Sequence, residues 1–296
     1  MDIEAYLEEK RVLVDGCLDQ LLPEKNQFPP LLHQAMRYCL CAGGKRIRPV
    51  LAFAAAEAVG GDPHSIVHEA CALELIHTFT LIHDDLPAMD NDDYRRGMLT
   101  THKVFGEAMA ILAGDALLTE AFRILACGCS RGVHKAEHML EIIKIVAEAS
   151  GSMGVVGGQV VDIDSEGKAI NTTLLEYIHR HKTGTLITAS VLLGGTLGGA
   201  SPEENKHLRA YGEAVGHAFQ ITDDILDILG SKEELGKNTG SDQKKSKATY
   251  PSIIGMEEAK KKQLELYHRA LESLESFDGR ADHLRKIALY IIQRHR

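Results

Sequence analysis

Apolar residues recur at helical spacing through almost all of this 296-residue chain, and that periodicity leaves room for little but an all-α architecture. Segments 2–22, 30–42, 48–59, 65–83, 105–126, 136–151, 173–197, 203–229 and 256–275 each read as helix. Breakers separate them: Pro23, Pro29-Pro30, Gly60-Gly61-Asp62-Pro63, Pro87, Gly198-Gly199 with Pro202, and Pro251. Asp62 and Ser201 stand where helix caps belong. No alternating strand run, fixed-period repeat or low-complexity linker divides the chain, so residues 1–296 read as one all-α domain. Stretches 70–83, 107–118, 186–196 and 214–229 carry little charge apart from aspartates and are expected to be inner helices. The charged 256–275 segment is expected nearer solvent.

Two of those inner helices carry similar acidic clusters. The first is His83-Asp84-Asp85-Leu86-Pro87-Ala88-Met89-Asp90, and the second is Gln220-Ile221-Thr222-Asp223-Asp224-Ile225-Leu226-Asp227. Crowded carboxylates repel one another beside apolar helices unless cations neutralise them. Asp oxygens are hard ligands, suited to magnesium that shares its shell with a substrate phosphate. Pro87 interrupts regular hydrogen bonding, so a turn there can swing Asp90 back beside Asp84. In the second cluster Asp223 and Asp227 are one helical turn apart, as are Gln220 and Asp224, with Gly216 continuing the face. A solvated acidic helix end is the plain alternative for each, but it does not explain two matching clusters on apolar helices.

Basic residues complement them. Gly43-Gly44-Lys45-Arg46-Ile47-Arg48-Pro49 puts three cations after a glycine pair, at a loop-to-helix junction suited to a diphosphate. Arg95-Arg96 would extend that cationic wall. His77 lies about two turns before Asp84, on nearly the same face. Lys182-Thr183-Gly184 interrupts a long helix, so that the Thr hydroxyl and a backbone carbonyl can face a cavity; an ordinary surface Lys before a tolerated Gly reads equally well here. Gln159 and Asp162 are weaker cavity candidates. The stretch from Gly230 to Pro251, rich in Lys and punctuated by Gly236 and Gly240, reads as a lid.

The formal net charge of -9 argues against a nucleic-acid partner. The longest apolar stretches are too short and Gly-rich to span a bilayer. Six cysteines without a CxxC pair read as reduced thiols, and the N-terminus lacks signal-peptide character. A cytoplasmic enzyme is the expectation.

With both aspartate motifs, the Gly-Gly-Lys-Arg-x-Arg-Pro run and Arg95-Arg96-Gly97 in place, the chain resembles the trans-isoprenyl diphosphate synthases, and within them the bacterial farnesyl diphosphate synthases. The resemblance implies an isoprenoid synthase-type helical bundle around a deep central cavity, in a homodimer. It implies that Lys45, Arg48, His77 and Arg96 hold isopentenyl diphosphate. Several Mg2+ ions would bind Asp84 and Asp90 from one side and Asp223 and Asp227 from the other. Arg95, Lys182, Lys237 and Lys247 would hold the allylic diphosphate, and Thr183 and Gln220 would stabilise the allylic carbocation. Asp85 and Asp224 complete the two motifs and count among the catalytic candidates. Phe79 and Thr80, five and four residues before Asp84, would set the cavity floor. An aromatic at Phe79 favours farnesyl product, with geranylgeranyl second. A class I terpene cyclase, a silent subunit of a heteromeric synthase and an acidic calcium binder are the rivals. The second all-Asp cluster and the basic Lys45 site weigh against the first, the presence of both aspartate motifs against the second, and the absence of EF-hand spacing against the third.

Overall fold

The computed structural model describes residues 2–130, 132–229 and 248–294. Helices α1 (Ile3–Leu21), α2 (Pro30–Leu40), α3 (Ile47–Ala58) and α4 (Val67–Asp84) open the bundle. A short hairpin, β1 (Tyr94–Arg95) with β2 (Met98–Leu99), leads into α5 (Thr101–Phe105), α6 (Glu107–Ser130), α7 (Ala136–Ser150) and α8 (Val155–Ser165). Next come α9 (Thr172–Ile178), a π-helical turn (His179–Gly184), α10 (Thr185–Gly198) and α11 (Pro202–Leu229). The chain closes with α12 (Tyr250–Ile254), α13 (Met256–Glu272) and α14 (Asp282–Gln293). The fold is all-α, as the periodicity requires.

The expected caps are present. Asp62 accepts from the His64 N–H at 2.9 Å, and Ser201 and Glu204 bond reciprocally, Ser201 N to Glu204 Oε2 at 2.8 Å and Glu204 N to Ser201 Oγ at 3.2 Å. The inner helices are α4 and α10, buried over most of their length, but α3 belongs with them: Val50 through Ala56 are fully buried. Its run of alanines lets α10 pack closely on it. Among the described residues the core forms three apolar clusters, one centred on α4 and α6, one on α3, α10 and α11, and a smaller one beneath α12 and α13. The α13 helix lies at the surface, as its charge predicts. The one described helix long and apolar enough to cross a membrane, Pro63–Asp84, is packed inside the bundle.

Three sequence expectations change. The hairpin at 94–99 is a real element despite its length: Arg96 and Gly97 both have positive φ, 54° and 77°, which is the backbone of a two-residue hairpin turn. Residues 155–165 and 282–293 are helices that periodicity did not single out. The single helix expected over 173–197 is divided by the π turn.

Candidate active site

The first aspartate cluster is built from a helix end and a turn. The α4 helix stops at Asp84, and the chain folds back so that the Asp90 N–H donates to the Asp84 carbonyl at 2.8 Å. The two carboxylates therefore lie close. Burial, with Asp90 adding repulsion, raises the Asp84 carboxyl from 3.8 to about 6, although Lys182 acts against it. Asp85 points elsewhere: it is buried and accepts from both Arg95 Nε, at 2.9 Å, and Arg95 Nη2. Burial raises the Asp85 carboxyl and Arg95 opposes the rise.

The second cluster sits on uninterrupted helix near the end of α11. Asp223 accepts from Arg294 Nη2 at 2.6 Å, and that guanidinium also stacks 3.9 Å over the Phe219 ring. Asp224 is 3% exposed and turned into the scaffold. Its Oδ1 accepts from Gln220 Nε2 at 3.2 Å, its Oδ2 accepts from the Tyr250 N–H at 2.9 Å, and His179 Nε2 lies 3.4 Å away. Asp227 is buried one turn further on. Among the described residues no three metal-ligating side chains converge on one point. Pairs of outer aspartates on separate elements fit magnesium, which is held by one or two carboxylates and completed by waters and substrate phosphate.

The π turn joins the clusters. Its wider spacing brings Lys182 Nζ to Asp162 Oδ2 at 2.7 Å and lets Thr183 Oγ1 donate to Gln220 Oε1 at 3.0 Å. Lys182 is also near enough to Asp84 to lower its pKa. The turn can press on α11 because Gly216 has no side chain there; an added Cβ would lie 2.8 Å from the Gly184 Cα. Buried Gln159 has neither amide atom hydrogen-bonded.

Beside the first cluster lies a cavity of about 440 Å³, lined by Lys45, Arg48, His77, Arg96, Phe219 and Arg294 among others. Arg48 is pushed down to about 10, first by burial, so it stays charged at neutral pH; its Nε has no partner. Burial and then Arg48 and Arg96 hold the His77 imidazole well below its usual value, leaving a neutral donor inside a cationic wall. Arg96 bonds the Gly43 carbonyl, and Gly44 makes room for it, since a Cβ there would sit 2.7 Å from the guanidinium. Arg46 corrects the sequence reading that grouped three cations on a diphosphate. It is buried, with Nε on Asp15 at 2.8 Å, Nη1 on Glu74 at 2.8 Å and Nη2 on the Leu40 carbonyl at 2.6 Å. That network ties α1, α2 and α4 together and commits one donor of each guanidinium nitrogen to the scaffold, although Arg46 still borders the cavity. Its two carboxylate partners lie 31 and 28 residues away in sequence, so spacing alone could not reveal them.

Phe79 is buried in the core with its ring edge on His83, 4.8 Å between centroids, and Thr80 donates to the His77 carbonyl at 2.8 Å. At about 100° per residue, Thr80 lies within about 40° of Asp84 around the helix axis and Phe79 about 140° from it. Lys237, Lys247 and most of the expected lid lie outside the described residues.

A family model described as polyprenyl synthetase matches residues 29–287. The chain is 47% identical over 262 residues to the farnesyl diphosphate synthase of Geobacillus stearothermophilus, covering 88% of each protein. It is also 47% identical over 292 residues to the geranylgeranyl diphosphate synthase of Cyanophora paradoxa, covering 98% of this chain and 96% of that protein. The structure superposes on geranylgeranyl pyrophosphate synthetase from Pyrococcus horikoshii with a TM-score of 0.88 at 32% identity, over 99% of this chain and 98% of the other.

Proposed function

From the premise that the chain belongs to the polyprenyl synthetase family, we propose that this trans-prenyltransferase condenses isopentenyl diphosphate with dimethylallyl or geranyl diphosphate, with farnesyl diphosphate as product. The observation that carries the transferase reading is the basic cavity beside the aspartates. A cyclase has one diphosphate to hold, whereas Lys45, Arg48, His77 and Arg96 line a second anion site. Lys182 and Arg95 stand by the first cluster to draw charge onto the departing allylic diphosphate as its C–O bond breaks. Magnesium, when bound to Asp84 and Asp90 and to Asp223 and Asp227, supplies Lewis-acid stabilisation of that leaving group. Thr183 donates to Gln220, so the Gln220 oxygen is oriented at the cavity wall where an allylic cation forms. The isopentenyl double bond attacks that cation, and the proton then leaves to the released diphosphate. The exposed apolar residues Val104, Ile111 and Leu112 on α5 and α6 support assembly as a homodimer.

Phe79 supports the farnesyl product as a bulky side chain buried in the core, five residues before Asp84. Geranylgeranyl diphosphate is the second reading, favoured by the small Thr80 beneath Asp84 and by relatives that carry that name. The deciding experiment is mass spectrometry of products from purified protein with magnesium, isopentenyl diphosphate and dimethylallyl diphosphate. A farnesyl end product supports Phe79 as floor, a longer one moves the floor, and no elongation with this primer or with geranyl diphosphate sinks the transferase reading.

A further inference from the structure

A second cavity, of about 430 Å³, opens between α7, α10, α11 and α13 and shares no lining residue with the basic one. Its floor is apolar, formed by Ile145, Ala149, Ala189, Leu192 and Leu266. At its mouth stand Arg180, Arg209 and Arg269, all exposed, and among the described residues none of these guanidinium groups makes a hydrogen bond or an ion pair. Two carboxylates, Glu148 and Glu213, share the mouth. Glu213 is one turn from Arg209 yet does not pair with it. His217 adds no charge at neutral pH, because burial lowers it to about 4, and Arg180 and Arg269 both lie near enough to contribute. Both guanidinium groups thus stand on the rim of the same cavity.

A volume within the usual small-molecule range of about 300–1,000 Å³, an apolar floor and unpartnered arginines together describe a ligand. We infer that this second cavity binds an amphiphile with an anionic head at Arg180 and Arg269 and an apolar tail on the floor. Prenyl diphosphates have that chemistry, and naming them as the occupant rests on the proposed activity; the amphiphile site itself does not. The occupant would touch the catalytic wall from behind. Gly184 lines this cavity, while the preceding Thr183 holds Gln220 and the following Thr185 donates to the Ala149 carbonyl at 3.1 Å.

The chain has no tryptophan, and Met153 lines the cavity at 74% exposure, so Met153→Trp places a single fluorophore at the mouth. Farnesyl diphosphate, farnesol and inorganic diphosphate are titrated separately in chelator. The expected result is a saturable emission change with farnesyl diphosphate, at a half-saturation about tenfold or more below that of either fragment. It persists in an Asp84→Asn/Asp223→Asn background and weakens about tenfold or more with Arg180→Gln/Arg269→Gln. The inference is overturned by no saturable change, by farnesol or diphosphate binding as tightly as the whole, by indifference to the arginine changes, or by dependence on the two aspartates. Dodecyl phosphate keeps the two readings apart: if it binds while the protein transfers no prenyl group, the cavity stands and the activity falls.

Discussion

The two aspartate clusters look alike on paper and are assembled differently. In the first, Asp84 ends a helix and Asp90 is returned to it by a turn; in the second, Asp223 and Asp227 are neighbours on unbroken helix. Yet in both the middle aspartate is occupied with structure. Asp85 holds the Arg95 guanidinium, and Asp224 holds a glutamine amide and a backbone N–H. The comparison teaches that an acidic motif is not a uniform set of ligands: the outer positions suit a cation, and the middle one fixes the wall around it.

Replacing an outer aspartate should have the largest effect. Asp84→Ala or Asp223→Ala should lower turnover by about a thousandfold or more while far-ultraviolet circular dichroism is unchanged. Normal turnover in either folded variant would sink the division into outer and middle positions. The first cluster should also respond to pH. Asp84 binds its proton more tightly folded than unfolded, so its contribution to stability is present below about pH 4 and is lost as pH rises through about 6. Metal-free Asp84→Asn should accordingly be more stable than the parent at pH 7 in chemical denaturation, by up to about 3 kcal/mol. The parent's magnesium requirement should steepen as pH falls below about 6.

Middle positions should give smaller effects of two kinds. Asp224→Ala leaves the Tyr250 N–H and the Gln220 amide without their acceptor, a loss of about 1–3 kcal/mol in chemical denaturation. The same variant should lower kcat more than it changes either KM, because Gln220 loses its orientation. Asp85→Asn should act mainly on the KM for the allylic substrate by releasing Arg95. Equal kinetic profiles for the two would erase the contrast. The smallest effect expected is from Arg294→Gln, which removes a partner from half-exposed Asp223 and should change turnover less than tenfold.

Much of this was legible in the sequence, for identifiable reasons. The long helices announce themselves by period, and Pro87 before Asp90 signals the turn because proline cannot carry the helix hydrogen bonding onward. The α8 helix hid because Gly157 and Gly158 dilute its pattern. The hairpin hid because two residues per strand carry no alternation. Arg46 could be separated from Lys45 and Arg48 only once Asp15 and Glu74 were brought to it, which is a matter of tertiary packing. The bond between Thr183 and Gln220 was likewise invisible, although both residues were singled out, since it depends on the π turn.

That turn also sets an angular phase. Residues 172–198 run almost continuously through α9, the π turn and α10, and the extra residue in the turn rotates everything after it relative to what came before. Deleting one residue there could restore a regular rod, but each position beyond the deletion would swing by about 100° around the axis. The α10 side chains now seated on α3 would then face elsewhere. The core and the wall of the candidate site thus share one clock setting, and neither can be reset alone.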